Sequence, residues 1–426
     1  MARHQRPYYG MTMEIAIPRE RLIQELETLA AFSDAPAPAV TRVVFSEKDL
    51  QARAWFRQLC REASLDIRED AVGNTFARWH GSEPDLPAIG TGSHIDAIPH
   101  SGRYDGTVGV LGGLAAMRAL QEAGFRPRRS LELLLFTSEE PTRFGIGCFG
   151  SRLLAGTLEA SADDTLKDGA GATLKQCRTQ AGFQGSVESV LLPRGYYDAF
   201  VELHIEQGPL LERRGVPIGA VTAIAAPASL RIGIEGSGGH AGAVLMPDRR
   251  DAFLAAAEIA LALEAVAKST GSIDSVATTG VCDIFPRAIN SIPSRVQMEA
   301  DIRDINEARR DGMLAKLKQA CDEVAARRGL TVTTEFINRD SPAICDPRIV
   351  DAIAAGAALH GLACDRMVSR AYHDSLFLSR VCPTSMIFIP CRDGVSHRPD
   401  EYASPEAIAS GTLVLAETMA LLSAKN

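Results

Sequence analysis

The chain has 426 residues, 46% hydrophobic and 23% charged, an ordinary globular composition that excludes a disordered or collagen-like polymer. At roughly 150 residues per domain it has room for about two or three domains. Its 45 basic and 53 acidic residues leave a net charge of −8, and with no basic excess or Lys/Arg block, neither nucleic acid nor an anionic membrane is an expected partner.

The start, MARHQRPYYGMTMEIAIPRER, lacks the long apolar stretch of a signal peptide. Residues 86–91 read as a short strand and 106–124 as a helix with apolar residues at Val110, Leu114, Met117 and Leu120. The apolar run 131–136 (LELLLF) predicts a strand buried on both faces, as in an α/β sheet. Residues 199–204 are another candidate strand, and 156–196, rich in Gly, Asp and Thr, read as helical or irregular surface.

The middle of the chain has a different rhythm. Residues 229–235 alternate as a half-buried strand does, and 251–268 predict a helix. Its apolar part, 252–267, is broken by Glu258 and Glu264 and is too short to span a bilayer, so no transmembrane helix is expected. Two strands follow at 275–284 and 294–302. Asp304 then reads as a helix start with Glu307 in capping-box position, Leu314, Leu317, Cys321 and Val324 as its face, and Gly329 as its C-cap. A strand at 330–336 completes a β-α-β-β-α-β order, the ferredoxin-like pattern, over residues 224–338.

Beyond residue 341 the α/β character returns, with a helix at 347–360, a strand at 384–389 and a helix start at Ser404-Pro405-Glu406. The expected fold class is therefore α/β: one discontinuous α/β domain, 1–223 plus 339–426, with a second domain, 224–338, inserted.

The chemistry sits where strands are expected to end. His94 and Asp96 lie two apart on one face of an extended stretch, so Asp96 can accept from the second ring nitrogen of His94 and fix its tautomer. Asp105-Gly106 occupies a turn before a helix. Glu139-Glu140 follow the buried LELLLF strand, where two adjacent carboxylates are costly unless a cation neutralises them. ELHIEQG at 202–208 ends another strand and carries His204, and Ser396-His397 lie in a loop after IFIP. Each residue alone has a plainer reading as a turn, a cap or a loop histidine; the joint occurrence moves the estimate.

Three imidazoles and two or three carboxylates without thiolate make a nitrogen/oxygen set suited to two divalent ions such as Zn²⁺, Mn²⁺, Co²⁺ or Ni²⁺. Such a pair activates a water, and a spare carboxylate can carry its proton to a departing nitrogen, which fits hydrolysis of a C–N bond at a carbonyl. GSGGHA at 236–241 matches GxGxxA, but the helix starts too late for a dinucleotide turn. His4, His80, His100 and His360 stand outside any constellation. No cysteine is expected beside the set, and nine of them with no CxxC spacing fit reduced thiols in a cytoplasm.

At GSHIDAIP, YDGTVGVLG, LFTSEEPTRFGI, SRLLAG, ELHIEQGP, VTAIAAPASL, GGHAGAVLMP, AINSIPS, SRAYHDSLF and IFIPC the chain resembles the M20 metallopeptidase-like amidohydrolases from about residue 20 to 422. Within them it looks most like the ureidoglycolate group, beside the allantoate and N-carbamoyl-L-amino-acid hydrolases. The resemblance implies a discontinuous metallohydrolase domain carrying an inserted lid and dimerisation domain, and a homodimer. It implies hydrolysis of (S)-ureidoglycolate to glyoxylate, ammonia and carbon dioxide, in purine and allantoin catabolism.

It further implies two divalent ions, Mn²⁺ foremost, with His94, His204 and the bridging Asp105 on one, and Glu140 and His397 on the other. Glu139 becomes general base and acid, and Asp96 the partner of His94. Gln207, His240, Asn290, Arg303, Tyr372 and His373 become substrate-binding residues. A carboxylate on the substrate suits the planar fork of Arg303, His240 suits an oxyanion, and Asn290 suits a hydroxyl. The plainer readings are a salt bridge from Arg303 to Asp301 or Asp304, and a glycine-loop hydrogen bond for His240. The plant members carry a targeting extension that is not seen here, which favours the cytoplasm. Allantoate and N-carbamoyl amino-acid hydrolysis, with an aminopeptidase or dipeptidase behind them, remain open on the same scaffold. The intact ligand set argues against a non-catalytic binding protein.

Overall fold

A computed structural model describes residues 14–424. The readings of His4 and of the first thirteen residues of the start lie outside the described residues. The chain forms two compact units: residues up to Thr222 with Cys345–Met367 and those from His373 onward make the first, and Ala223–Ile344 with Val368–Tyr372 make the second.

The first unit is built on a mixed sheet. Its parallel centre runs Thr384–Ile389, Tyr197–Ile205, Ala88–His94, Leu131–Phe136, and antiparallel strands Thr75–Trp79 and Asp66–Glu69 extend it beyond the last of these. Every residue of Ala88–His94, Leu131–Phe136 and Thr384–Ile389 is buried, which is why these strands read as continuous rather than alternating runs. The helix Thr107–Glu122 packs on Ala88–His94 and Tyr197–Ile205 and is buried on nearly all sides.

Two segments differ from their appearance in the sequence. Pro405–Ala424 is long and apolar enough to cross a membrane, yet 67% of its apolar window is buried inside the unit, against Thr107–Glu122 and Pro347–Ala358. Its start at Ser404-Pro405-Glu406 is as expected, while Thr412, Glu417 and Thr418 interrupt its apolar run; all three are buried, and Glu417 lies 2.8 Å from His360. The stretch 156–196 is not all surface. Leu174, Cys177, Val187, Val190 and Leu192 join a core with Phe45, Phe149 and Phe183, anchored by a capping box at Thr173 and the buried Arg178–Asp163 pair at 2.7 Å.

The second unit holds a four-stranded antiparallel sheet ordered Val276–Phe285, Arg295–Asp304, Ala226–Glu235, Thr331–Arg339, with helices Ala252–Ser269 and Glu307–Arg328 on one face. Burial alternates along Ala226–Glu235 and Arg295–Asp304, so Leu230, Ile232, Val296 and Met298 meet the helices. Asp304 does not open the second helix. It ends its strand, accepting from the Asn306 amide and pairing with Arg309, while Asn306 takes the cap by accepting from the Arg309 amide at 2.9 Å. Val368–Tyr372 joins this unit through the Ser369 carbonyl, which accepts from Ala225, and through the Arg370–Asp274 pair.

Candidate metal centre and active site

Open α/β sheets bind ligands beyond the carboxyl ends of their parallel strands. Four adjacent strand ends of the first unit deliver the predicted residues there. His94 closes Ala88–His94, Glu139 and Glu140 follow Leu131–Phe136, His204 is the penultimate residue of Tyr197–Ile205, and His397 lies in the loop after Thr384–Ile389. The turns are tight: Ser138, Gln207 and His397 all hold left-handed backbone (φ 57°, 55° and 58°), unusual for residues with a side chain.

Asp105 is the hub. Its Oδ1 lies 3.5 Å from His94 Nε2 and 3.2 Å from His204 Nε2, and its Oδ2 lies 3.3 Å from His397 Nε2, which is also 3.3 Å from Glu140 Oε1. Two groups of metal-ligating side chains therefore share Asp105: His94, Asp105 and His204, and Asp105, Glu140 and His397, each with its donor atoms within 4.8 Å of one another. Gly106 makes the approach feasible. It has φ 66°, and a Cβ there would lie 2.4 Å from His94 Nε2.

The inner nitrogens are fixed by carbonyls. His94 Nδ1 faces the Asp96 backbone oxygen at 3.0 Å and His204 Nδ1 faces the Ile205 oxygen at 2.9 Å, which turns both Nε2 atoms toward Asp105. This corrects the role expected of the Asp96 side chain. Its carboxylate is 3.7 Å from His94 Nδ1 and instead accepts the amides of Glu139 (3.2 Å) and Glu140 (3.0 Å), holding the turn that bears both acids.

The donor set fits a pair of divalent cations. His94 Nε2 is buried with no hydrogen-bond partner, an arrangement that costs free energy unless a cation accepts the lone pair. Burial opposes protonation of His94, but Asp105, Glu139 and Asp96 outweigh it and hold the ring well above its ordinary value. Contacts with Asp105 and Glu140 push His397 up to about 11. Burial works against ionised Asp105, yet its three histidine contacts keep it well below the usual carboxylate range. A field that draws protons onto three imidazoles draws metal cations equally.

Glu139 touches neither end of Asp105 and stays available. Its Oε2 is 3.9 Å from His94 Nε2, and burial pushes its carboxyl well above the usual range against the pull of His94, the property a proton carrier near neutral pH needs. One sequence expectation fails beside it. A cysteine does adjoin the set, since Cys148 Sγ donates to Glu139 Oε1 at 3.6 Å. Burial and Glu139 push this thiol up, so it stays protonated and is no nucleophile.

The expected substrate residues divide. Gln207 donates to Asp105 Oδ2 at 2.6 Å, beside the ligands. His373 is only 2% exposed, packed 4.5 Å from His204 and grouped with it and Glu202, whose oxygens accept from Ser93 and Ser375. Its contact in this site is with the candidate ligand His204. The other four belong to the second unit. There His240 is exposed and takes the Gly242 amide, its neighbour Ala241 bonds to the Asn290 carbonyl, and Arg303 pairs with Asp301 at 2.7 Å beneath the Tyr372 ring. The plainer readings of His240 and Arg303 thus describe their present contacts.

Sequence reasoning missed Cys148, Glu202, Asp374 and Glu401. Glu202 was within reach, being buried two residues before His204 on the same strand face. Asp374 is buried with one oxygen unpartnered and is pushed up to about 8 by burial and Glu202. No local pattern announces it.

Residues 90–421 match the family described as Peptidase family M20/M25/M40. The chain is 50% identical to a ureidoglycolate hydrolase of Arabidopsis thaliana, over 97% of this chain and 88% of that one. It is 52% identical to a ureidoglycolate hydrolase of Oryza sativa subsp. japonica, over 97% and 87%. A solved structure described as AtUAH in complex with glyoxylate superposes with a TM-score of 0.89 at 50% identity, covering 96% of this chain and 99% of that one.

Proposed function

Given that the chain belongs to peptidase family M20/M25/M40, we propose that it is an amidohydrolase that cleaves ureidoglycolate to glyoxylate, ammonia and carbon dioxide. The observation that carries this is one buried carboxylate, Asp105, shared by two ligand groups, with an uncommitted acid, Glu139, beside them. Mn²⁺ is the proposed metal, held by His94, Asp105 and His204 in one group and Asp105, Glu140 and His397 in the other. Bound there, a divalent pair supplies Lewis-acid polarisation of the ureido carbonyl and an acidified water. Glu139 takes the proton of the attacking water and delivers it to the departing nitrogen. Asp96 keeps Glu139 in place through its amide, and His373 steadies His204.

We assign the second unit a ferredoxin-like lid role in which Arg303 receives the substrate carboxylate, His240 the developing oxyanion and Asn290 the hydroxyl, with Tyr372 stacked on the guanidinium. The edge strand Val276–Phe285 and helix Ala252–Ser269 expose Val281, Phe285 and Leu261, which supports a homodimer through this unit. Nine free thiols support a reducing compartment, the cytoplasm. The deciding experiment measures ammonia and glyoxylate release by Mn²⁺-loaded protein from ureidoglycolate, allantoate, N-carbamoyl amino acids and dipeptides. Preference for ureidoglycolate is expected; a higher kcat/KM for any other sinks the assignment.

A further inference from the structure

We propose that Glu401 is a positioning residue that locks the two halves of the metal centre in register by tying the Tyr104–Asp105 turn to the Ser396–His397 loop. The inference rests on the metal-centre reading above and adds a residue that offers no ligand atom and meets the ligand sets only through the Asp105 backbone. Glu401 is buried, and each of its oxygens is used. Oε1 accepts the amides of Tyr104 (2.8 Å) and Asp105 (3.1 Å); Oε2 accepts from Ser396 Oγ at 2.8 Å, and that hydroxyl lies 2.6 Å from Asp105 Oδ2. One side chain thus holds the hub residue by its backbone and the neighbour of His397 by its hydroxyl.

The room for this strut is built into the chain. A Cβ on Gly102 would lie 2.4 Å from both the Cβ and Oε1 of Glu401, so the carboxylate crosses a gap that only glycine leaves open. The need for it is equally local. His94 and His204 come from buried strands and are held by the sheet. His397 has left-handed backbone and a side chain 45% exposed, so neither conformational preference nor packing fixes it. The loop is closed instead by hydrogen bonds, from the Glu401 amide to Arg398 at 3.1 Å, from Arg392 to Tyr402 at 2.8 Å, and through the Glu401–Ser396 contact. Removing the strut therefore frees His397 from Asp105 while leaving His94 and His204 in place.

The test is calorimetric titration of the metal-free full chain with Mn²⁺, with elemental analysis of bound metal and circular dichroism as a check on folding. Wild-type protein is expected to bind two ions. Glu401→Ala should bind one near wild-type affinity and the other about 10–100-fold more weakly, the usual cost of losing an outer partner of a ligand. Glu401→Gln should fall between, because its carbonyl still accepts both amides while its NH₂ donates to Ser396. Gly102→Ala, which leaves Glu401 intact but displaced, should follow Glu401→Ala. Two ions bound at wild-type affinity by folded Glu401→Ala overturn the proposal. If that variant does not fold, unchanged binding by Gly102→Ala overturns it. Wild-type protein that takes up no ion sinks the metal-centre reading first, and so separates the two failures.

Discussion

The strand-end cluster of the first unit and the candidate substrate residues of the second are built on opposite plans. Around Asp105 nearly every side chain is buried; Asp105, Glu139 and Glu140 are held by partners from distant segments of the chain, while His94 and His204 lean on carbonyls one or two residues away. In the second unit His240 and Asn290 are exposed, and Arg303 is occupied by an acid two residues away on its own strand. The first plan sets geometry before any ligand arrives, as positioning of reacting groups requires. The second leaves groups such as Arg303 that, to take the proposed ligand, would have to give up a local partner, which would reduce their contribution to binding.

Substitutions can break this contrast, beginning with the largest effect. Asp105→Ala removes the one carboxylate common to both groups, so metal analysis should find both ions lost and turnover at background. Retention of either ion with activity would mean that the two groups are independent. Glu139→Gln should lower kcat by about 10²–10⁴-fold, the range for a lost acid–base group, with Mn²⁺ uptake unchanged. Loss of metal in that variant would make Glu139 a ligand. Arg303→Ala should raise KM for ureidoglycolate by about 10–100-fold, in line with the roughly 1.5–3 kcal/mol of a hydrogen bond to a charged group; an unchanged KM would leave Arg303 as a partner of Asp301 alone. Asp301→Ala sharpens the contrast most finely. It frees Arg303 from a half-exposed pair and should change KM by about fivefold or less, since such pairs contribute about 1 kcal/mol at most.

The legible part of the site was the part that obeys local rules. LELLLF announces a strand buried on both faces, and in a parallel sheet the polar residues just after such strands converge at one edge. That is how His94, Asp105, Glu139, Glu140, His204 and His397 are found without coordinates. Glu401 and Cys148 were illegible because their contacts cross from one segment to another; nothing in DEY or GCF distinguishes a strut or a thiol donor from a surface residue. Asp96 shows a subtler limit. Its spacing from His94 was read as a side-chain contact, whereas the turn brings the Asp96 carbonyl to the ring and sends the carboxylate to two amides. The start of Pro405–Ala424 is legible at Ser404-Pro405-Glu406, but its apolar length is not, because threonines and Glu417 break up the run and only packing shows that these polar groups are inside.

The order of strands in the first sheet bears on how the chain is made. Thr384–Ile389 lies against Tyr197–Ile205, with Phe200 opposite Thr384, although the whole second unit is threaded between them. During translation Tyr197–Ile205 emerges with one hydrogen-bonding edge bare, and it stays bare until the ribosome has passed residue 389. The four antiparallel strands of the second unit all lie within Ala223–Ile344, so its sheet has no such wait and can close on its own contacts. A nascent polypeptide therefore spends the time needed to synthesise more than a hundred residues with a sticky apolar strand unprotected, and the step most exposed to aggregation or chaperone capture is the late arrival of IFIP.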